Sequence, residues 1–88
     1  MRILTAIALT LAAPLALAGP QCTDTDPSEW QDQEAFQQKL KDEGYKINVF
    51  KVTDGNCYEI YGWNQQGQKV EIYYHPVTGE AVKTEIED

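Results

Sequence analysis

Cys57 and His75 are the chain's one candidate pair for covalent chemistry, because His75 is its only histidine. A cysteine nucleophile needs a base to accept its proton and a third group to orient that base. Cys57 lies in Gly55-Asn-Cys-Tyr-Glu-Ile-Tyr-Gly62, and His75 ends Lys69-Val-Glu-Ile-Tyr-Tyr-His75. If these stretches are neighbouring antiparallel strands, the two residues reach the same end of a sheet. A second cysteine, Cys22, competes for the thiol. As metal ligands, Cys22, Cys57 and His75 fall short of the open, three- or four-ligand spacing of zinc sites unless acids join them. Asp24 and Asp26 alternate, but no glycine-bearing loop with a terminal glutamate completes a calcium pattern. The adjacent acids Asp42-Glu43 and Glu87-Asp88 fall at a helix end and at the C-terminus, where charge is solvated. Glycosidase-type work needs two acids facing across a cleft, and so short a chain offers little cleft.

The choice between thiol and disulfide turns on the compartment. Residues 1–18 carry one cation, Arg2, then an apolar run from Ile3 to Ala18 broken by Pro14, with Ala16-Leu17-Ala18 as small residues ahead of a cleavage point. This is the pattern of a secretory signal peptide, cleaved after Ala18. The run is shorter than the roughly 20 residues of a spanning helix, so the mature form is not expected to span a membrane. Gly19, Pro20 and Gln21 separate Ala18 from Cys22, unlike a lipoprotein signal. A periplasmic or secreted location favours oxidation, and a Cys22–Cys57 disulfide is expected.

Without residues 1–18 the chain has 70 residues, and six lysines face fourteen acids, a formal charge of −8. That charge excludes the basic patch a nucleic-acid binder needs, and no motif asks for a cofactor. A domain this small is marginal without a staple.

The elements that must position these residues are readable from periodicity. Residues 19–31 have no period and read as an extended arm, with Asp26-Pro27-Ser28-Glu29 as a turn or short helical start presenting Trp30. The domain proper is taken as residues 32–88. Asp32 can cap a helix whose narrow apolar stripe is Ala35, Phe36 and Leu40, and Gly44 is its stop. Four strands follow. The first changes phase between Val49 and Phe50, which predicts a bulge or a strand buried on both faces. Asp54-Gly55, Asn64–Gly67 and Pro76–Gly79 supply the turns. The fold class is therefore α+β: one N-terminal helix packed on a four-stranded antiparallel β-meander.

Alternation divides the sheet into two faces. Tyr58, Ile60, Val70, Ile72, Tyr74, Val82 and Ile86 are expected to meet Phe36 and Leu40. The other face carries Glu59, Tyr61, Trp63, Glu71, Tyr73, His75, Lys83 and Glu85. Tyr61, Trp63 and Tyr73, with Glu59 and Glu71 beside them, form an aromatic patch of the kind that marks a binding surface. The competing reading is that the arm, pinned by Cys22, folds over this face. An open edge strand offers a second route to a peptide, by strand addition.

Pro27, Trp30, Leu40, Gly44-Tyr45, Gly55, Cys57-Tyr58-Glu59, Gly67, Val70-Glu71, Pro76 and Thr78-Gly79 together resemble the PepSY family, in its short stand-alone periplasmic form. The resemblance covers the chain after residue 18. It implies one helix against an antiparallel sheet, no catalytic residues, and a place among propeptides of secreted metallopeptidases and proteins of the bacterial envelope. A role in restraining peptidases has been proposed for the family. One position departs: an Asp often precedes the Pro-x-Thr-Gly turn, where this chain has His75. The expected function is a non-enzymatic binding module for a protein or peptide partner, with a peptidase or other envelope protein as candidate. The alternative is a small ligand or metal sensor using His75 and nearby acids.

Overall fold

The structure, a computed structural model, describes residues 19–87. The expected signal peptide, residues 1–18, lies outside them. A 3-10 turn at Pro27–Glu29, capped by Asp26, leads into helix α1 (Gln33–Asp42). Asp32 caps α1, its carboxylate accepting from the Ala35 N–H at 2.9 Å. Glu34 in the first turn and Lys39 and Lys41 in the last complement the helix dipole. The C-terminal end closes as a Schellman motif. Gly44 N–H donates to Lys41 O and Tyr45 N–H to Leu40 O, both at 3.0 Å, with Gly44 at φ +102°.

Four strands, β1 (Lys46–Val52), β2 (Tyr58–Trp63), β3 (Lys69–Tyr74) and β4 (Ala81–Glu87), form an antiparallel sheet in chain order. β1 does carry a bulge, but earlier than the Val49–Phe50 phase change predicts: the register shifts between Ile47 and Val49, so Val49 lies across from Tyr61 on the outer face and not with Ile47. Gly62 answers the bulge from β2, because a Cβ there would lie 1.9 Å from Lys46 O. The hairpin at Asp54-Gly55 differs from a two-residue turn. Asn56, not Gly55, takes the left-handed conformation, at φ +61°, and Thr53 and Cys57 close the loop by backbone hydrogen bonding. Gly55 is small for another reason: a Cβ would lie 2.2 Å from the carbonyl oxygen of Pro20 in the arm.

The core forms between α1 and one sheet face. Phe36 and Leu40 pack with Tyr58, Ile60, Val70, Ile72 and Tyr74. The Phe36 ring sits 5.1 Å from both the Tyr58 and Tyr74 rings, centroid to centroid. Fully burying a side chain of this size contributes about 2–3 kcal/mol. Trp30 closes the end of the core, edge-on to Tyr58 at 5.9 Å, and the Tyr58 hydroxyl donates to Gln31 O. The segment 19–31 is thus packed on the domain, through these contacts and a hydrogen bond from Gln31 N–H to Pro76 O.

Three expected core members are not in it. Ala35 is exposed, and Val82 and Ile86 on β4 are 46% and 52% exposed. Alternation puts Ile86 on the helix side, opposite Val70, as expected. The helix does not reach that far. A helix is about 10 Å across and strands lie about 4.8 Å apart, so a single helix covers two to three strands of four. Here it sits toward β1, and β4 is left bare.

Candidate functional site on the outer sheet face

Strand register arranges the face away from α1 as three cross-strand rows. The first runs Lys51, Glu59, Tyr73, Lys83; the second Val49, Tyr61, Glu71, Glu85; the third Lys46, Trp63, Lys69, Glu87. Four of the chain's six lysines lie here. The acids outside the sheet concentrate elsewhere: Asp24, Asp26, Glu29, Asp32, Glu34, Asp42 and Glu43 all belong to the arm and helix.

The two ends of this face differ. At the Tyr73 end the arm covers it. A side chain on Gly19 would come within 2.5 Å of the Tyr73 ring, and Cys22 N–H donates to Gly55 O at 2.9 Å. Tyr73, under the arm, is 5% exposed, and Glu59, across from Tyr73 on β2, is 2% exposed. Of the two readings of this face, the covering arm describes the Tyr73 end, so the aromatic patch does not extend that far. Tyr61 and Trp63 remain half-buried. Trp63 borders two recesses, of about 350 and 500 Å³, one on each side of it.

At the centre, Glu59 and Glu71 form a carboxyl pair between two tyrosines. Burial pushes the Glu59 carboxyl up from the usual carboxylate range, and its contact with Glu71 adds to the shift. The hydrogen bond with Glu59 is the main reason Glu71 is drawn down, to about 2, with Tyr73 supporting it. The Tyr73 hydroxyl donates to Glu71 Oε2 at 2.9 Å. Glu59 Oε2 is buried and accepts nothing. Their contact favours a proton on Glu59 over one on Glu71, so Glu59 is the member of the pair that takes up a proton first as pH falls. Tyr61 is pushed up mainly by its hydrogen bond to Glu71, and Tyr73 mainly by burial. Lys51 lies 3.9 Å from Glu59 and 5.5 Å from the Tyr61 ring centroid, and Lys83 lies 5.9 Å from that of Tyr73. Lys51 is 54% exposed, so its ion pair is weak.

Cys57 and His75 do reach the same end of the sheet, since Tyr58 pairs with Tyr74. Neither is poised for covalent chemistry. Cys57 is bonded to Cys22, with Cα atoms 5.2 Å apart, and neither cysteine is free. His75 leaves the outer face and caps the third turn: its Nδ1 accepts from the Val77 and Thr78 N–H groups at 3.1 and 3.3 Å. An Asp carboxylate at this position would accept the same donors, so the departure from the family pattern preserves the turn. Among the described residues no group of three or more His, Cys, Asp or Glu side chains converges to hold a metal ion.

One helix against an antiparallel sheet is the frame of the family that the sequence resembles; the Cys22–Cys57 disulfide is added to it here. The family model described as peptidase propeptide and YPEB domain matches residues 2–85. The chain belongs to the PepSY family. Neither a curated protein nor a solved structure matches it. PepSY domains are propeptide- or inhibitory-type modules, generally non-catalytic and typically extracellular or periplasmic. No helix among the described residues of this PepSY chain is long and apolar enough to cross a membrane. Sequence reasoning missed the roles of Gly19 and Gly55 as seats for the arm. The available signal was Gly55 itself, a glycine beside a residue that takes the left-handed turn position in its place.

Proposed function

We propose that this PepSY chain is an exported, non-catalytic module that binds a protein or peptide partner through the Tyr61–Trp63 end of its outer sheet face. A secreted or envelope peptidase is the partner class that the family favours. The observation behind this reading is the contrast along one face. Tyr73 is sealed by the arm, whereas Trp63 keeps an accessible indole between two recesses on a rigid, disulfide-tied sheet. Half-exposed Trp and Tyr on a fixed scaffold are the side chains that anchor protein interfaces. Glu71, Lys69 and Lys46 around them supply a mixed polar rim.

Capture from an envelope fraction tests the proposal. The wild-type chain should retain a partner that the Tyr61→Ala, Trp63→Ala double variant loses, with both proteins melting within a few degrees of each other. Equal recovery by the two would remove this face from consideration. Export is tested on the same preparation, whose N-terminal sequence should start at Gly19.

A further inference from the structure

We infer that β4 is a self-pairing edge, through which two copies of the chain join their sheets antiparallel about Thr84. β4 pairs with β3 on one side and with no other strand among the described residues. All seven of its residues are exposed, including Val82 and Ile86, which the helix leaves bare. Such an edge is a template for another strand unless it is blunted. The opposite edge, β1, is broken by a bulge at Asn48, which leaves four residues, Val49 to Val52, in regular pairing with β2. In β4 the register shift falls at Val82 and leaves five, Lys83 to Glu87, in regular pairing with β3.

The occupant is specified by charge and register. A closed two-fold contact between antiparallel strands opposes residue i to residue j and j to i, and keeps the same face of both sheets on one side. The centre must then fall on a residue. Centred on Thr84, Lys83 opposes Glu85 of the second copy and Glu85 opposes its Lys83, both on the outer face. At the ends of the ladder Ile86 of each copy comes level with Val82 of the other, at the register shift of β4. A shift of one centre toward the N-terminus stacks Lys83 on Lys83; a shift toward the C-terminus stacks Glu85 on Glu85, although Lys83 then meets Glu87. The Thr84 centre is thus the one of the three that opposes unlike charges with no like-charge pair. Lys83 already reaches Glu85 of its own chain at 3.6 Å, so in the dimer the two lysines and two glutamates would form a square of alternating charge about the Thr84 centre. The product is an eight-stranded sheet with both helices on one face.

Sedimentation of the exported, purified chain across a concentration series tests this. The wild type should show a reversible monomer–dimer equilibrium. Lys83→Glu and Glu85→Lys should each weaken it by about tenfold or more, because each change opposes like charges twice. The double exchange, Lys83→Glu with Glu85→Lys, should restore it. Circular dichroism and melting of all four proteins separate loss of dimer from loss of fold. A wild type that stays monomeric at millimolar concentration overturns the proposal. So does a dimer that either single variant leaves unchanged, or one that the double exchange fails to recover.

Discussion

Reducing the Cys22–Cys57 bond should cost this chain a large part of its stability. The bridged residues are 35 positions apart. The chain-entropy relation for a closed loop of that length gives about 4 kcal/mol at room temperature. A domain of some 70 residues has roughly 4–10 kcal/mol in all. The bond also holds the arm against Gly55, so its loss frees the residues that shield Tyr73. At roughly 4–8 °C per kcal/mol for a domain this small, the melting temperature should fall by about 15–30 °C. The assay is thermal denaturation by far-ultraviolet circular dichroism, with and without a phosphine reductant, beside a Cys22→Ala, Cys57→Ala double variant. The variant and the reduced wild type should melt within a few degrees of each other. A drop of less than about 5 °C in both would show that the sheet and helix are stable without the staple, and would refute the view that the core is too small to stand alone.

The carboxyl pair predicts an acid-shifted stability optimum. Glu59, raised in the fold, contributes stability that is full below its unfolded value near 4.5 and is lost as pH rises through its folded value. Glu71, lowered to about 2, contributes stability that is full above about 4.5 and is lost as pH falls toward 2. Denaturant titrations should therefore show a maximum in mild acid, and Glu59→Gln should flatten its alkaline side, gaining about 1 kcal/mol at neutral pH. Gly62→Ala should destabilise by about 2–3 kcal/mol, since its Cβ would meet a backbone carbonyl at 1.9 Å. Gly67→Ala, with φ +80° and open space around it, should cost only about 1 kcal/mol in the same melts. His75→Ala should lose about 1 kcal/mol by leaving the Val77 and Thr78 N–H groups without their acceptor, whereas His75→Asp should keep the turn and the melting temperature.

The helix was legible because its two ends are written in single residues, Asp32 and Gly44, whose chemistry is local. That β1 bulges was legible because a bulge must break alternation; its position was not, because Val49 is apolar on the outer face and hides the break at Asn48. Alternation also assigned Ile86 to the helix side, but it carries no information about how far one helix extends across a sheet. Ile86 is therefore on the expected face but in solvent, and Val82 sits at the register shift of β4, where alternation does not assign a face. The burial of Glu59 and Tyr73 was hidden for a related reason. Tyr73 is covered by Gly19, in a segment that has no period, Glu59 lies across from Tyr73, and their own strands read as a solvated face. His75 looked like a ligand because a lone histidine at a strand end has two free nitrogens in the sequence. In the fold, one of them is taken by the turn.

The uneven placing of charge has a consequence for how the molecule travels. The outer face balances four lysines against Glu59, Glu71, Glu85 and Glu87, while the arm and helix carry seven acids against Lys39 and Lys41. The protein is therefore an electric dipole as well as an anion. Its field turns it before contact, so that a cationic surface meets the helix and arm first and the Trp63 face is left pointing outward.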